Sequence, residues 1–230
     1  IKNYILKFMP YSIIIPIYNE EKTLDKLLLS LKKYSFSKNE ILIINDGSID
    51  GTKKILKKYN FINVIELKKN YGKGIAIKIG LQKSIHNETI IYDGDLELHT
   101  DGITKLMELN RDLGIHSLMG TRFNNLSPFN SKFEWGNFMF TIFFNFLFQS
   151  CHKDILCCAK SFYKYDVPIN KLDSKGFDID IELSSFLTKN NKRKRIQHRL
   201  IKYNRRDIQQ GKKLRISDGW IILMRLIKSI

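Results

Sequence analysis

The sequence predicts an α/β fold: a mostly parallel sheet with helices on both faces. Three observations carry this. Compact, β-branched apolar runs alternate with helical patterns through the first half of the chain, the order that parallel neighbours need for their crossovers. Each apolar run ends in a cluster of polar residues and glycine, which is where open parallel sheets bind ligands. In 230 residues, 43% apolar and 27% charged side chains suit a packed domain rather than a disordered chain.

Residues 11–17 read as a buried strand. Asn19 follows as a helix cap, with Glu20 and Glu21 in the first turn. Leu24, Leu27, Leu28 and Leu31 then share one helical face. Residues 40–45 predict a second strand, closed by Asp46-Gly47-Ser48, and Asp50 caps a helix through about Tyr59. Residues 62–67 predict a third strand, and 72–85 a helix opened by a glycine-rich turn. Residues 89–92 predict a fourth strand that runs into Asp93-Gly94-Asp95. The polar clusters at these strand ends are expected to converge on one site. The second half is less regular. Helices are predicted over 103–110, 133–148, 180–189 and 220–230, and a strand over 117–123 through Gly120-Thr121-Arg122.

With 39 Lys and Arg against 23 Asp and Glu, the net charge is +16. That favours polyanionic partners: nucleic acid, anionic lipid headgroups or phosphorylated small molecules. A plainer reading stands beside it, because a chain rich in Ile, Lys and Asn also carries lysines that only solvate its surface. The run Lys192-Arg193-Lys194-Arg195 is short and reads as a solvated turn. Cys151, Cys157 and Cys158 are too few and too bunched for a disulfide framework, which points to a reduced compartment, and they lack zinc-ligand spacing. No secretory signal is expected in the first residues, and no uncharged run reaches the ~18 residues of a membrane span.

The strongest local signal is Asp93-Gly94-Asp95, followed by Glu97. Two carboxylates just past a buried strand form a hard-oxygen pair of the kind that holds Mg²⁺ or Mn²⁺ together with substrate phosphates. Gly94 would let the backbone approach a ligand closely. Asp46 can accept hydrogen bonds from a nucleobase, Tyr18 can pack on the base, and Lys73 can neutralise a phosphate. Ordinary helix capping competes for the same polar clusters. Asn70-Tyr71-Gly72-Lys73-Gly74 is neither a Walker loop nor a dinucleotide fingerprint.

These motifs, in order, resemble those of the family 2 glycosyltransferases: the 12–21 strand and turn, Asn45-Asp46-Gly47-Ser48, Asn70 to Gly74, and Asp93 to Glu97. Gly120-Thr121-Arg122-Phe123, the block from Asp154 to Lys160, Gly176-Phe177 through Glu182-Leu183, and Tyr203, Arg206, Gly211-Lys212-Lys213 and Asp218-Gly219 narrow the resemblance to enzymes like dolichyl-phosphate mannose synthase. The resemblance implies a GT-A, Rossmann-like nucleotide-binding domain over residues 1–215, with a donor half to about residue 100, an acceptor half after it, and an amphipathic helix over 216–230. It implies that Pro16, Tyr18, Glu20, Ile44 and Asp46 hold base and ribose. Asp93, Gly94, Asp95 and Glu97 would surround the diphosphate and its divalent cation, and Arg122, Arg206 and Lys213 would face phosphates. Where relatives usually carry Glu-Val-Pro, this chain has His198-Arg199-Leu200.

The expected reaction moves a hexose from a nucleotide diphosphate sugar, with inversion at C1. A polyprenyl phosphate acceptor, with a second pKa of ~6, needs little general-base help. A sugar hydroxyl on a soluble glycan or protein would need a carboxylate base, for which Asp154 is the candidate, with Asp180 and Glu182 behind it. Both of the latter read equally well as a solvated helix face. Asn137, Thr141 and Asn145 make one narrow polar stripe on the otherwise apolar 133–148 helix. That helix and 220–230 are expected to rest on the cytoplasmic face of a membrane, with the stripe turned toward the domain and Phe143 and Phe144 toward lipid. A nucleic-acid-binding module is disfavoured, since the aromatics are not interleaved with Lys and Arg. A catalytically dead sugar-nucleotide binder is disfavoured by the intact Asp93, Asp95 and Arg122.

Overall fold

The structure is a computed structural model that describes residues 9–123, 132–190, 196–206 and 218–230. The basic run Lys192 to Arg195, and Gly211, Lys212 and Lys213, lie outside the described residues.

The central strand is β1 (Ser12–Ile17), whose Ile13, Ile14 and Ile15 are fully buried. It pairs in parallel with β2 (Glu40–Asn45) on one side and β4 (Glu88–Ile91) on the other, and β2 pairs in parallel with β3 (Asn63–Glu66). Ile14 sits opposite Leu42 and Ile91, so one register aligns the carboxyl ends of β1, β2 and β4. Beyond β4, β6 (Lys160–Tyr163) runs antiparallel to β4 and to β5 (Ser117–Thr121), and β7 (Gln197–Leu200) lies parallel to β5. The sheet order is β3-β2-β1-β4-β6-β5-β7, mostly parallel as predicted.

Helices cover both faces. On one, α1 (Leu24–Leu31) and α2 (Thr52–Leu56) bury Leu24, Leu27, Leu28, Leu31 and Ile55 in one cluster with Ile13, Ile15, Ile41 and Ile43 of β1 and β2, and α4 (Gly102–Leu106) adds Ile103 to the same cluster beside β5 and β7. On the other, α3 (Lys73–Lys83) and α6 (Ile179–Asn190) bury Ala76, Ile77, Leu81, Leu183 and Leu187 against Ile14 and Ile44. A third cluster joins α5 (Lys132–Phe148) and α7 (Asp218–Lys228) to α6 through Phe144, Ile181, Ile222 and Leu226. No helix among the described residues is long and apolar enough to cross a membrane.

The departures from expectation have local causes. Asn19 does not cap α1, which starts at Leu24. It sits at φ 49, donating its backbone N–H to Ser48 Oγ and accepting from Ile49 N–H, so it ties the end of β1 to the end of β2. Asp50 does accept from Thr52 N–H, but α2 stops at Leu56. The strand β6 escapes the sequence pattern because two of its four residues, Lys160 and Ser161, are polar yet fully buried. Asn137 and Thr141 face inward as expected, whereas Phe144 is fully buried and stacks on Phe148 at 4.3 Å. The exposed face of α5 is Trp135, Met139, Ile142, Phe143 and Phe146 instead.

Candidate active site

One cavity of about 1050 Å³ lies at the carboxyl ends of β1, β2 and β4. Pro16, Tyr18, Glu20, Asp46, Lys73, Asp93, Gly94, Asp95, Glu97 and Arg122 all line it, so the convergence expected from the strand ends is present. Three expected residues do not line it, and Lys213 lies outside the described residues. Ile44 is fully buried beneath α3, because a β2 side chain of that parity points into the helix layer. Arg206 pairs with Glu20 at 3.0 Å, and its backbone N–H donates to Glu97 Oε1. Asp154 is enclosed.

The wall of the cavity formed by the ends of β1, β2 and β4 is built from turns locked by carboxylates. Both Asp46 oxygens accept backbone N–H groups, from Tyr71 and Gly72, at 2.8 Å each. Asp46 therefore shapes the glycine-rich turn, and its two oxygens, each with one further lone pair, still face the cavity. Gly72 has φ +100, and a Cβ there would meet Lys175 O at 2.3 Å, so glycine is required. Gly94 is required for a different reason from the one expected: a Cβ would strike Ile17 Cγ2 at 2.4 Å, so it admits β1 rather than a ligand. Leu96 holds a left-handed φ of 62, which turns Glu97 N–H back onto Asp95 Oδ1 at 3.0 Å.

The acidic motif is electrically uneven. Asp93 pairs with Lys73 at 2.8 Å. Burial works against its charge, but the Lys73 ammonium holds its carboxyl below the usual range. Asp95 has no ion pair among the described residues. Burial, then the neighbouring Asp93 charge, push it up to about 7. Glu97 is turned toward Tyr203 and the Arg206 backbone. No group of three acidic, His or Cys side chains is gathered for a metal among the described residues. Asp93, Asp95 and Glu97 all present hard oxygens to the cavity, and Asp95 and Asp93 could hold a divalent cation whose remaining ligands come from substrate. A cation there would also offset the uncompensated charge at Asp95.

The rest of the cavity comes from the second half of the chain. Arg122 is held from one edge by Asp154: Nε donates to Oδ2 at 2.8 Å and Nη2 to Oδ1 at 2.7 Å, and Asn137 Nδ2 donates to the same Oδ1. Burial opposes the Asp154 charge, yet Arg122 keeps its pKa low. With both oxygens engaged, Asp154 orients Arg122 and is not placed to take a proton from an acceptor. Asp180 and Glu182 are not a solvated helix face. Asp180 pairs with Lys73 and Lys160, while Glu182 accepts the backbone N–H groups of Asp173 and Ser174. Sequence reasoning missed Phe177 and Arg225 as cavity residues; Arg225 joins α7 to Asp173, Asp178 and Glu182. Asp218, Ile221 and Ile222 of α7, with Glu134 and Asn137 of α5, extend the cavity to the apolar helices.

Residues 12–167 match the family profile described as Glycosyl transferase family 2. The chain is 36% identical over 123 residues to a dolichyl-phosphate beta-glucosyltransferase of Trichomonas vaginalis, covering 48% of this chain and 36% of that protein. It is 30% identical over 127 residues to an undecaprenyl-phosphate 4-deoxy-4-formamido-L-arabinose transferase of Proteus mirabilis, covering 52% of this chain and 38% of the relative. The matched region spans little more than a third of the length of these curated relatives. Glucosyl-3-phosphoglycerate synthase of Mycobacterium tuberculosis, solved with Mn²⁺, uridine diphosphate and phosphoglyceric acid, shares the fold: TM-score 0.73 at 14% identity, over 96% of this chain and 78% of that one.

Proposed function

The chain belongs to glycosyl transferase family 2, and from that premise we propose that it is a metal-dependent, inverting glycosyltransferase that moves a hexose, mannose or glucose, from a GDP- or UDP-sugar to a polyprenyl phosphate. One observation carries the reading. A single cavity joins Asp93-Gly94-Asp95 to α5 and α7, so a diphosphate at the carboxylates and a lipid phosphate arriving along the apolar helices would meet in it.

Mg²⁺ or Mn²⁺ held by Asp95 and Asp93 would supply charge neutralisation for the departing diphosphate. Pro16, Tyr18 and Glu20 line the same cavity and would hold base and ribose. Arg122, fixed by Asp154, presents a guanidinium for phosphate oxygens, a bidentate contact that lysine cannot reproduce. The acceptor oxygen of a phosphate monoester is already anionic at neutral pH, since its second pKa is ~6. It attacks C1 from the face opposite the diphosphate and asks for no general base. The alternative, a soluble glycan or protein acceptor, needs a base, and its candidate Asp154 has both oxygens taken up by Arg122 and Asn137.

The relatives that act on dolichyl and undecaprenyl phosphates support the lipid acceptor. So do the exposed apolar faces of α5 and α7, the latter carrying Trp220, Ile221, Met224 and Ile227, on a chain of net charge +16. Their seat would be peripheral, at the cytoplasmic face of a membrane. Calorimetric titration with UDP and GDP tests the donor half. Nucleotide binding should strengthen with Mn²⁺ and lose that gain in Asp95→Ala, whereas binding indifferent to Mn²⁺ in the wild type would contradict the metal-dependent reading.

A further inference from the structure

Beneath the Asp93-Gly94-Asp95 turn, four charged side chains alternate in sign. Lys160 on β6, 1% exposed, lies with Nζ 3.5 Å from Asp180 Oδ1. Asp180 Oδ2 is 3.3 Å from Lys73 Nζ, and Lys73 Nζ is 2.8 Å from Asp93 Oδ1. The Lys160 ammonium also donates to the Cys157 carbonyl, and the Phe177 ring faces the Lys73 ammonium at 5.4 Å. Asp180 is therefore anchored from below by Lys160, while Lys73 is shared between Asp180 and Asp93. Lys73 and Asp93 both reach the cavity.

This arrangement sets two ligands in competition. A carboxylate whose charge is already met by an ammonium at contact distance is a poorer ligand for a divalent cation. A diphosphate in the cavity brings anionic oxygens that attract the same ammonium. If Lys73 shifts toward them, Asp180 keeps a counter-charge in Lys160, so the move leaves no buried carboxylate unpaired.

We propose that Lys73 is a resident counter-cation that couples cation binding to nucleotide binding: paired with Asp93 it weakens divalent-cation binding, and passing to the diphosphate it releases Asp93 to the cation. Resting on the metal-dependent reading above, this coupling gives Lys73 a positioning role that the acidic motif alone does not have. Linkage requires the same factor in both directions: nucleotide strengthens cation binding as much as the cation strengthens nucleotide binding.

Mn²⁺ binding, followed by the paramagnetic resonance signal of the free ion, tests this without any turnover. For the wild type, saturating UDP or GDP should raise Mn²⁺ affinity about 5- to 150-fold, the usual span of such couplings. Lys73→Met should bind Mn²⁺ about tenfold more tightly than wild type without nucleotide, and nucleotide should then strengthen binding about tenfold less than it does in wild type, leaving only the ligands that the diphosphate itself supplies. Lys73→Arg, which keeps the charge, should restore weak binding and coupling. Thermal melts establish that each variant is folded, and Lys73→Gln carries the same expectations if Lys73→Met is not. Mn²⁺ binding in the neutral variant no tighter than in wild type, or undiminished coupling, would overturn the role of Lys73 alone. Absence of Mn²⁺ binding by the wild type with either nucleotide would overturn the metal-dependent reading and this coupling with it.

Discussion

Asp154 illustrates how a residue's chemistry depends on what closes around it. The sequence marks it as a carboxylate near the acceptor, and a base is the natural expectation; only the structure brings Arg122 and Asn137 onto both of its oxygens. Asp154→Asn should therefore lower kcat/KM by about tenfold or more through a misaligned Arg122, the size of ~1.4 kcal/mol, while leaving the shape of the pH–rate profile unchanged. A lost ionisation in that profile would restore Asp154 as the base. His152 makes a stability prediction at the same scale. Burial, then His198 and Lys160, hold its pKa down to about 3, against an ordinary value of 6.5, and Nδ1 has no hydrogen-bond partner among the described residues. Folded His152 stays neutral while the unfolded chain takes up a proton below pH 6.5. Its contribution is complete above that pH and is lost as pH falls toward the folded value, at up to about 1.4 kcal/mol per pH unit. Because Asp95 acts in the opposite sense and His198 in the same sense over this range, the test is the difference between the two proteins: in urea unfolding from pH 7 to 4, the stability of wild type relative to His152→Leu should fall.

Elements were legible in proportion to how closely their burial matched one period. The strands β1 and β2 are buried on both faces and read as unbroken apolar runs. The helix α1 shows its Leu24, Leu27, Leu28 and Leu31 stripe openly. By contrast β6 carries Lys160 inside the protein, where Asp180 and the Cys157 carbonyl satisfy it, and no periodicity announces such a partner. The helix α5 shows the same limit. Its apolar character was evident, but adjacent Phe143 and Phe144 were assigned together, whereas Phe144 packs on Ile181 and Leu226 in the third cluster and Phe143 faces out. Phe143→Ser and Phe146→Ser should weaken binding to anionic liposomes at every salt concentration, each losing up to roughly 1.5–3 kcal/mol of apolar burial. Phe144→Ser should instead destabilise the fold, by about 3–5 kcal/mol as for other buried aromatic truncations. Co-sedimentation with liposomes and thermal melts separate the two, and equal effects of Phe143 and Phe144 on melting would show that α5 is enclosed on both sides.

Across the whole molecule, the parallel half and its converging strand ends were readable because strand, turn and helix each lie close in sequence. The way α7 reaches the wall of the cavity at the strand ends was not, since it passes through tertiary contacts alone. Arg225 fastens α7 to Asp178 at 2.9 Å, the 173–176 loop is held by Glu182, and the Lys175 carbonyl accepts Gly74 N–H at 2.9 Å beside the nucleotide turn. Through these links the apolar helices and the acidic motif share one cavity wall, which suits a donor bound from water and an acceptor taken from a membrane. The most direct measurement follows radiolabelled hexose from GDP-mannose, GDP-glucose, UDP-glucose or UDP-mannose into the organic phase, with Mn²⁺ and a polyprenyl phosphate in mixed micelles. The predicted result is a lipid-linked monosaccharide phosphate, formed with one of these donors, that disappears without polyprenyl phosphate, in EDTA and in Asp95→Ala. Label that stays in the aqueous phase with every donor, or that reaches a soluble glycan or protein equally well without the lipid, would contradict it.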